Sequence, residues 1–202
     1  MFSRIGVGSS IIAVLAVNQY YRHARSPVLS SFAEWRSEAG RARLQPMIAD
    51  LIPWATMRDA DTFVSWLDAQ PSVDVRREVG SCGYCMGGPM TMRTAAALPD
   101  RIGAAGSFHG GGLVTKDPSS PHLLIAKTNA RYVCAVAQND DKTDPEAKNV
   151  LRATFDAAKR PATVEVYPAN HGWCVPGGGS YDAASAEKAW GELLTLYKTS
   201  LA

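Results

Sequence analysis

The sequence predicts an α/β fold with a mostly parallel sheet flanked by helices. Short apolar runs without polar alternation recur along the chain, which is typical of strands buried on both faces. Segments with apolar residues at helical spacing lie between these runs, so that strand and helix alternate. We expect about five strands in a single domain spanning residues 1–202, because neither a repeat nor a linker interrupts the pattern.

Composition and charge exclude several classes of protein. The chain has 202 residues, of which 46% are apolar and 20% charged, as in globular domains with a substantial core rather than disordered chains. The net charge of +2 gives no reason to expect a nucleic acid or an anionic membrane as partner. No apolar run approaches the roughly 20 residues that span a bilayer.

The first predicted strand is the apolar run at residues 11–17. With Arg4 before it, this stretch also resembles a weak signal peptide, but the run is short and residues 18–21 are a poor cleavage context. We interpret it as a buried strand in a cytoplasmic protein, whose four cysteines are then reduced thiols. The alternative for Cys82 and Cys85, a C-x-x-C pair, is a redox or metal site, but no second pair completes a zinc site.

The remaining elements follow from periodicity and from helix start and stop signals. Residues 18–53 form a long excursion with short helical pieces at 31–38 and 46–51. Asp144 and Pro145 are expected to cap and start a helix. The other predicted elements are helices at 57–70, 89–98 and 182–201, and strands at 78–82, 102–108, 131–137 and 163–167.

A glycine-rich turn with cysteine at its apex joins the strand at 78–82 to the next helix. It reads Gly83-Tyr84-Cys85-Met86-Gly87-Gly88 and fits the nucleophile pattern G-x-S-x-G with a thiol in place of the hydroxyl. We expect Gly83 and Gly87 to be glycines because strand and helix pass close together there. The helix N-terminus favours a thiolate, so Cys85 is a candidate nucleophile. The alternative is a buried, unreactive cysteine in a glycine turn.

Two further predicted strands end in polar groups suited to assist this thiol. Asp140 follows the strand at 131–137, and His171 follows the strand at 163–167. Active groups in open α/β sheets gather at the carboxyl ends of strands. We therefore expect His171 to act as base toward Cys85 and Asp140 to orient the imidazole.

Each of these assignments has an alternative. Asp141 and Asp144 compete with Asp140 as turn or cap residues, and His171 taken alone fits a surface histidine. His109 ends the strand beside the turn, where it either lines the pocket and binds substrate or is a structural histidine. The backbone N–H of Met86, directly after the nucleophile, is a candidate oxyanion donor.

These motifs together resemble the dienelactone hydrolase family of α/β-hydrolases. The segments that carry the resemblance are residues 83–88, Ser107-Phe108-His109-Gly110-Gly111, Asn139-Asp140, and Tyr167-Pro168 through His171-Gly172-Trp173. The resemblance extends from about residue 11 to the C-terminus. It implies a Cys85–Asp140–His171 triad, no metal or other cofactor, and hydrolysis of a small ester or lactone through an acyl-thioester. The alternative is a non-catalytic relative that binds a ligand or partner.

The resemblance also indicates where this chain departs from the family. Tyr21-Arg22 resembles the segment whose arginine binds the substrate carboxylate, with a solvated surface arginine as the alternative. A second carboxylate-binding arginine after the histidine has no counterpart in residues 173–176. The strands expected before residues 11–17 are missing, so the fold is expected to be N-terminally shortened. We expect the strand at 11–17 to pair with the strand at 78–82, or the gap between them to be filled by the N-terminus or another chain. Otherwise the exposed edges would favour self-association.

Overall fold

The computed structural model describes residues 2–7 and 10–201. The chain divides into two compact units, residues 1–74 and residues 75–202. The expectation of one domain stays a prediction, and each unit is described by itself. None of the described helices is long and apolar enough to cross a membrane.

The first unit contains a two-stranded sheet and three helices. Strands β1 (Phe2–Val7) and β2 (Ser10–Leu15) pair antiparallel. Helices α1 (Phe32–Arg36) and α2 (Glu38–Ala49) follow, each with a serine N-cap whose hydroxyl accepts a backbone N–H. Helix α3 (Pro53–Asp68) begins at a proline, which fits the first turn because that turn needs no N–H donor.

Several expectations for this unit were wrong. The strand predicted at 11–17 is found as β2, but it pairs antiparallel with β1 in a sheet of its own, so the alternative of direct pairing with the strand at 78–82 was wrong. The helices expected at 31–38 and 46–51 are instead α1 and the longer α2, which runs through Pro46. Helix propensity underestimates the length of α2 because proline disfavours a helix interior. Whether a helix forms through a proline is decided by tertiary packing.

The second unit is built on a parallel sheet of four strands, which are the four predicted in this part of the chain. Its strands, in spatial order, are β3 (Val79–Tyr84), β4 (Ile102–Phe108), β5 (Arg131–Ala137) and β6 (Ala162–Tyr167). Helices α4 (Gly87–Ala97), α5 (Gln138–Thr143), α6 (Ala147–Ala157) and α7 (Ala183–Ser200) connect or follow them, with a 3₁₀ helix at Pro121–Lys127. All seven residues of β4 are buried, as expected of an inner strand covered on both faces.

Side chains that alternate along the strands show how helices cover the two faces of the sheet. On β3, the space beside Gly80 is filled by the Tyr197 ring of α7, whereas the next residue, Ser81, accepts a hydrogen bond from Thr91 of α4. Successive strand residues point to opposite faces, so α7 and α4 lie on opposite sides. The core on the α7 side contains Phe108, Tyr167, Trp173, Ala189, Leu193 and Leu196.

Two helix assignments in this unit need correction. Asp144 was expected to cap a helix, but it ends α5, and the next helix begins three residues later at Ala147. The helix expected to start at Asp144 is preceded by another one, because the residues directly after β5 already form the short helix α5. On α7, whose apolar residues recur at helical spacing and predict a buried face that includes Trp190, that tryptophan is instead 40% exposed, whereas Leu196 is buried.

Candidate active site

The four parallel strands end at the same edge of the sheet, and the predicted site residues follow those ends. Cys85 comes directly after β3 and His109 directly after β4. Asp140 lies in α5, which starts immediately after β5. His171 lies in the loop after β6. Parallel pairing therefore brings together groups that are far apart in the sequence.

Cys85 occupies a strained turn between β3 and α4. Its backbone φ is +54°, in the left-handed region that non-glycine residues rarely adopt. Its N–H lies 3.2 Å from both the Phe108 carbonyl oxygen and the Nδ1 atom of His109. The thiol is exposed, and α4 begins two residues later. This geometry presents the sulfur at the N-terminal end of a helix.

The two flanking glycines differ in what they do. A Cβ on Gly83 would lie 2.0 Å from the Gly87 carbonyl oxygen, so no other residue fits at 83 without moving backbone. A Cβ on Gly87 would have no atom within 4 Å. The expectation that crowding requires both glycines was therefore wrong for Gly87. Gly83 alone makes room for the start of α4.

His171 is hydrogen-bonded to Asp140 and interacts with the thiol of Cys85. The His171 Nδ1 atom lies 2.7 Å from the Asp140 Oδ2 atom. Because a carboxylate accepts hydrogen bonds, Nδ1 donates and Nε2 is left to serve as the base. The ring also interacts with the Cys85 thiol and lowers its pKa. Both members of the Asp140–His171 pair are about one-third exposed, so the site is open to solvent on one side.

The electrostatics favour a thiolate beside an imidazolium. The hydrogen bond with His171 lowers the pKa of Cys85, with further help from the charge of His171 and the backbone N–H of Met86. The same hydrogen bond, followed by that with Asp140, raises the pKa of His171 to about 9. Each charge stabilises the other, as in other cysteine–histidine nucleophile pairs.

Asp141, the alternative acid, has a different partner. Its carboxylate lies 2.7 Å from the Lys148 ammonium group. The neighbouring Asn139 has a role that sequence reasoning missed, because its Oδ1 atom accepts the backbone N–H of His171 at 2.7 Å. The only sequence signal for it was the polar run directly after β5.

The two predicted substrate-binding residues lie in different surroundings. His109 is 1% exposed, and its ring packs against His171 and Trp173 with centroids 4.9 Å away in both cases. Arg22 belongs to the first unit, where it forms a two-pronged ion pair with Asp59, a carboxylate 2% exposed. A substrate-binding role for either residue stays a prediction.

The described cysteines and acidic residues form neither a disulfide nor a metal cluster. All four cysteines are free thiols, Cys82 and Cys85 included. Across residues 2–7 and 10–201, no group of three or more histidine, cysteine or acidic side chains is arranged to hold a metal ion.

Comparisons with known proteins place this site in a family. The model of the dienelactone hydrolase family matches residues 12–201. A protein of Escherichia coli K12 named "Putative carboxymethylenebutenolidase" is 29% identical over 159 residues, which cover 77% of this chain and 58% of that protein. This chain therefore spans a little over half the length of that curated relative.

Solved structures agree on the fold. A protein of Klebsiella pneumoniae described as a "Putative Dienelactone Hydrolase" superposes with a TM-score of 0.71 at 21% identity, covering 89% of this chain and 72% of that one. A dienelactone hydrolase-like promiscuous phosphotriesterase from metagenomic libraries has a TM-score of 0.67 at 21% identity, covering 82% and 69%. The acylaminoacyl peptidase of Pyrococcus horikoshii, at 13% identity, has a TM-score of 0.58 over 78% and 30%. With the family model matching nearly its whole length, this chain belongs to the dienelactone hydrolase family.

Proposed function

We propose that this chain hydrolyses a small ester or lactone with Cys85 as nucleophile, His171 as acid–base and Asp140 as the residue that orients His171. The observation that carries the proposal is the hydrogen bond of 2.7 Å between His171 and Asp140, together with the lowering of the pKa of the Cys85 thiol by that same His171. The name of the E. coli relative, a carboxymethylenebutenolidase, further supports a lactone as substrate.

In the first half of this reaction the Cys85 thiolate attacks the carbonyl carbon of the substrate. The carbonyl electrons move to oxygen, and the resulting oxyanion accepts the N–H of Met86. As the tetrahedral intermediate collapses, the carbon–oxygen bond to the leaving group breaks and the His171 imidazolium protonates that oxygen. The product is an acyl-thioester on Cys85 and a neutral imidazole.

In the second half a water molecule attacks the acyl-thioester. His171 removes a proton from this water through Nε2, while Asp140 stabilises the imidazolium that forms. Collapse of the second tetrahedral intermediate releases the carboxylic acid and restores the thiolate beside the imidazolium. The exposed side of the Asp140–His171 pair gives water access to this step.

The test is turnover of p-nitrophenyl acetate by the wild type and by Cys85→Ser and His171→Ala. We expect both substitutions to lower kcat by about 10³-fold or more, because nucleophile and base act as a unit. Absence of turnover by the wild type from pH 6 to 9 would refute the proposal.

The pH dependence should follow from the two shifted pKa values. The rate should rise with pH as the Cys85 thiol, whose pKa is lowered, becomes a thiolate. For an alkyl lactone it should fall again above a pH of about 9, where His171 loses the proton that the alkoxide needs. For p-nitrophenyl acetate, whose phenolate leaves without a proton, the alkaline fall should be weaker. Equal alkaline falls for both substrates would contradict the role of His171 as acid.

A further inference from the structure

His109 has an unusual position for a buried histidine. Its backbone φ is +40°, so it lies in the left-handed region, as does Cys85. Its own N–H donates to the Ala135 carbonyl oxygen at 2.8 Å, which holds the end of β4 to β5. Two strained residues from neighbouring strands are therefore in direct contact, and strained backbone persists only where its surroundings restrain it.

The contact between them is a hydrogen bond from the nucleophile's backbone to a side chain. The Cys85 N–H lies 3.2 Å from the His109 Nδ1 atom. An Nδ1 that accepts a hydrogen bond carries no proton, so the proton of this neutral ring is on Nε2. That Nε2 atom is buried and has no hydrogen-bond partner.

Burial and a neighbouring positive charge keep the His109 ring uncharged. Burial first, and then the charge of His171, lower the pKa of His109 to about 4. The ring thus stays a hydrogen-bond acceptor at neutral pH and throughout the range in which His171, with its pKa of about 9, titrates. A protonated ring would lose the lone pair that accepts the Cys85 N–H and would repel the His171 imidazolium.

We propose that His109 is a positioning residue of the hydrolase: its Nδ1 atom anchors the backbone of Cys85 and so holds the thiol beside the imidazole of His171. The inference rests on the proposed function for its consequence in catalysis, but the anchoring itself concerns the Cys85 thiol with or without turnover. Because the pKa of Cys85 is lowered chiefly by the hydrogen bond with His171, a displaced Cys85 would lose that stabilisation.

The test separates the acceptor from the ring. His109→Asn keeps an oxygen acceptor near the position of Nδ1 and tolerates positive φ, whereas His109→Phe keeps a ring without an acceptor. The readout is the pH midpoint of iodoacetamide alkylation at Cys85, followed by the mass of its peptide, which excludes the other thiols. His122→Asn and His122→Phe are matched controls. They make the same substitutions at a histidine whose hydrogen-bond partner is Ser120 rather than Cys85.

We expect His109→Phe to raise the Cys85 midpoint by about one pH unit or more, and His109→Asn to change it by less than about half a unit. With p-nitrophenyl acetate, His109→Phe should lower kcat about 10- to 100-fold with KM within about twofold of wild type, and His109→Asn should restore most of this loss. If His109 were only structural, its substitutions would lower the stability of the protein, but His109→Asn would not restore kcat and the Cys85 midpoint.

Equal Cys85 midpoints in wild type and His109→Phe, or an equal rise in His109→Asn and His109→Phe, would overturn the inference. If His109→Phe does not fold, His109→Ala replaces it as the variant without an acceptor, and the same two outcomes apply. If the wild type has no hydrolase activity, the proposed function fails, while the alkylation midpoints still decide the role of His109.

Discussion

Single residues at this site owe their chemistry to one or two partners each. His171 is the clearest case, because its pKa is raised to about 9 by hydrogen bonds with Cys85 and Asp140 rather than by burial, which acts in the opposite direction. A histidine in water titrates near pH 6.5. The imidazolium of His171, which the proposed mechanism uses as acid, is thus populated at neutral pH because a thiol of lowered pKa and a carboxylate lie beside it.

The adjacent pair Asp140 and Asp141 allows a matched test of orientation. Asp140→Asn should lower kcat by about 10³- to 10⁴-fold, because an amide can donate to Nδ1 and so stabilise the wrong tautomer of His171. Asp141→Asn removes only the ion pair with Lys148 and should leave kcat within about twofold of wild type. Steady-state kinetics of both variants check this. A large loss of kcat with Asp141→Asn would mean that Asp141, and not Asp140, is the carboxylate that orients His171.

At the level of elements, the turn between β3 and α4 determines the position of Cys85, the proposed nucleophile. The left-handed Cys85 reverses the chain, and Gly83 lets the first turn of α4 pass against the end of β3. The strained Cys85 at the apex and the uncrowded Gly87 after it belong to the same strand–turn–helix unit. The turn therefore depends on one glycine much more than on the other.

We expect Gly83→Ala to lower the free energy of unfolding by about 2 kcal/mol or more, because its Cβ would overlap the Gly87 carbonyl group. Gly87→Ala should be neutral or stabilise by up to about 1 kcal/mol, since it adds a better helix former in open space. Urea unfolding of both variants tests the difference. Equal destabilisation would mean that crowding at the turn is not what separates them.

In the first unit the link between Arg22 and α3 leads to a separate prediction. Arg22→Ala would leave the buried Asp59 carboxylate with weaker partners, namely the Tyr21 hydroxyl at 3.2 Å and the Arg58 guanidinium at 3.7 Å. Breaking such a pair costs about 3 kcal/mol. We therefore expect a clear loss of thermal stability.

The matched control is Arg43→Ala, which removes an exposed pair with Glu34 at 3.5 Å and should cost less than about 1 kcal/mol. The competing hypothesis, that Arg22 binds the substrate, is tested by measuring KM of Arg22→Ala for an ester that carries a carboxylate. A rise in KM of about tenfold with unchanged stability would favour the substrate-binding role of Arg22 over the structural one.

At the scale of the whole catalytic unit, the site rests on the core between the sheet and α7. Trp173, two residues after His171, is fully buried and stacks on Tyr167 at 5.1 Å between centroids. Its ring also contacts His109. The loop that carries His171 is therefore held by the same side chains that hold the sheet to its helix.

Trp173→Ala should lower the free energy of unfolding by about 3–5 kcal/mol, because it leaves a large cavity in this core. Trp190→Ala, at a half-exposed tryptophan of α7, should cost less than about 1.5 kcal/mol. Denaturant unfolding followed by far-ultraviolet circular dichroism avoids reliance on tryptophan fluorescence. Similar costs for the two variants would place Trp173 outside the stabilising core.

Much of the catalytic unit could be read from local patterns. The strands of the sheet were predicted to within one or two residues at most ends, because apolar runs between glycine and proline signals specify them locally. Cys85, Asp140 and His171 were nominated because each follows a strand, and parallel strands place their carboxyl ends together. The family motifs are likewise contiguous stretches of sequence.

What the sequence by itself determined was the fold class, the order of strands and helices in the second unit, and the three residues after the strand ends. These depend on periodicity and turn chemistry, which act between near neighbours in the chain. Only the tertiary structure decided that β2 pairs with β1, that Arg22 binds Asp59 and that the N–H of Cys85 meets Nδ1 of His109. Each is a choice of distant partner, which no local pattern encodes because several partners satisfy the same hydrogen-bonding groups equally well.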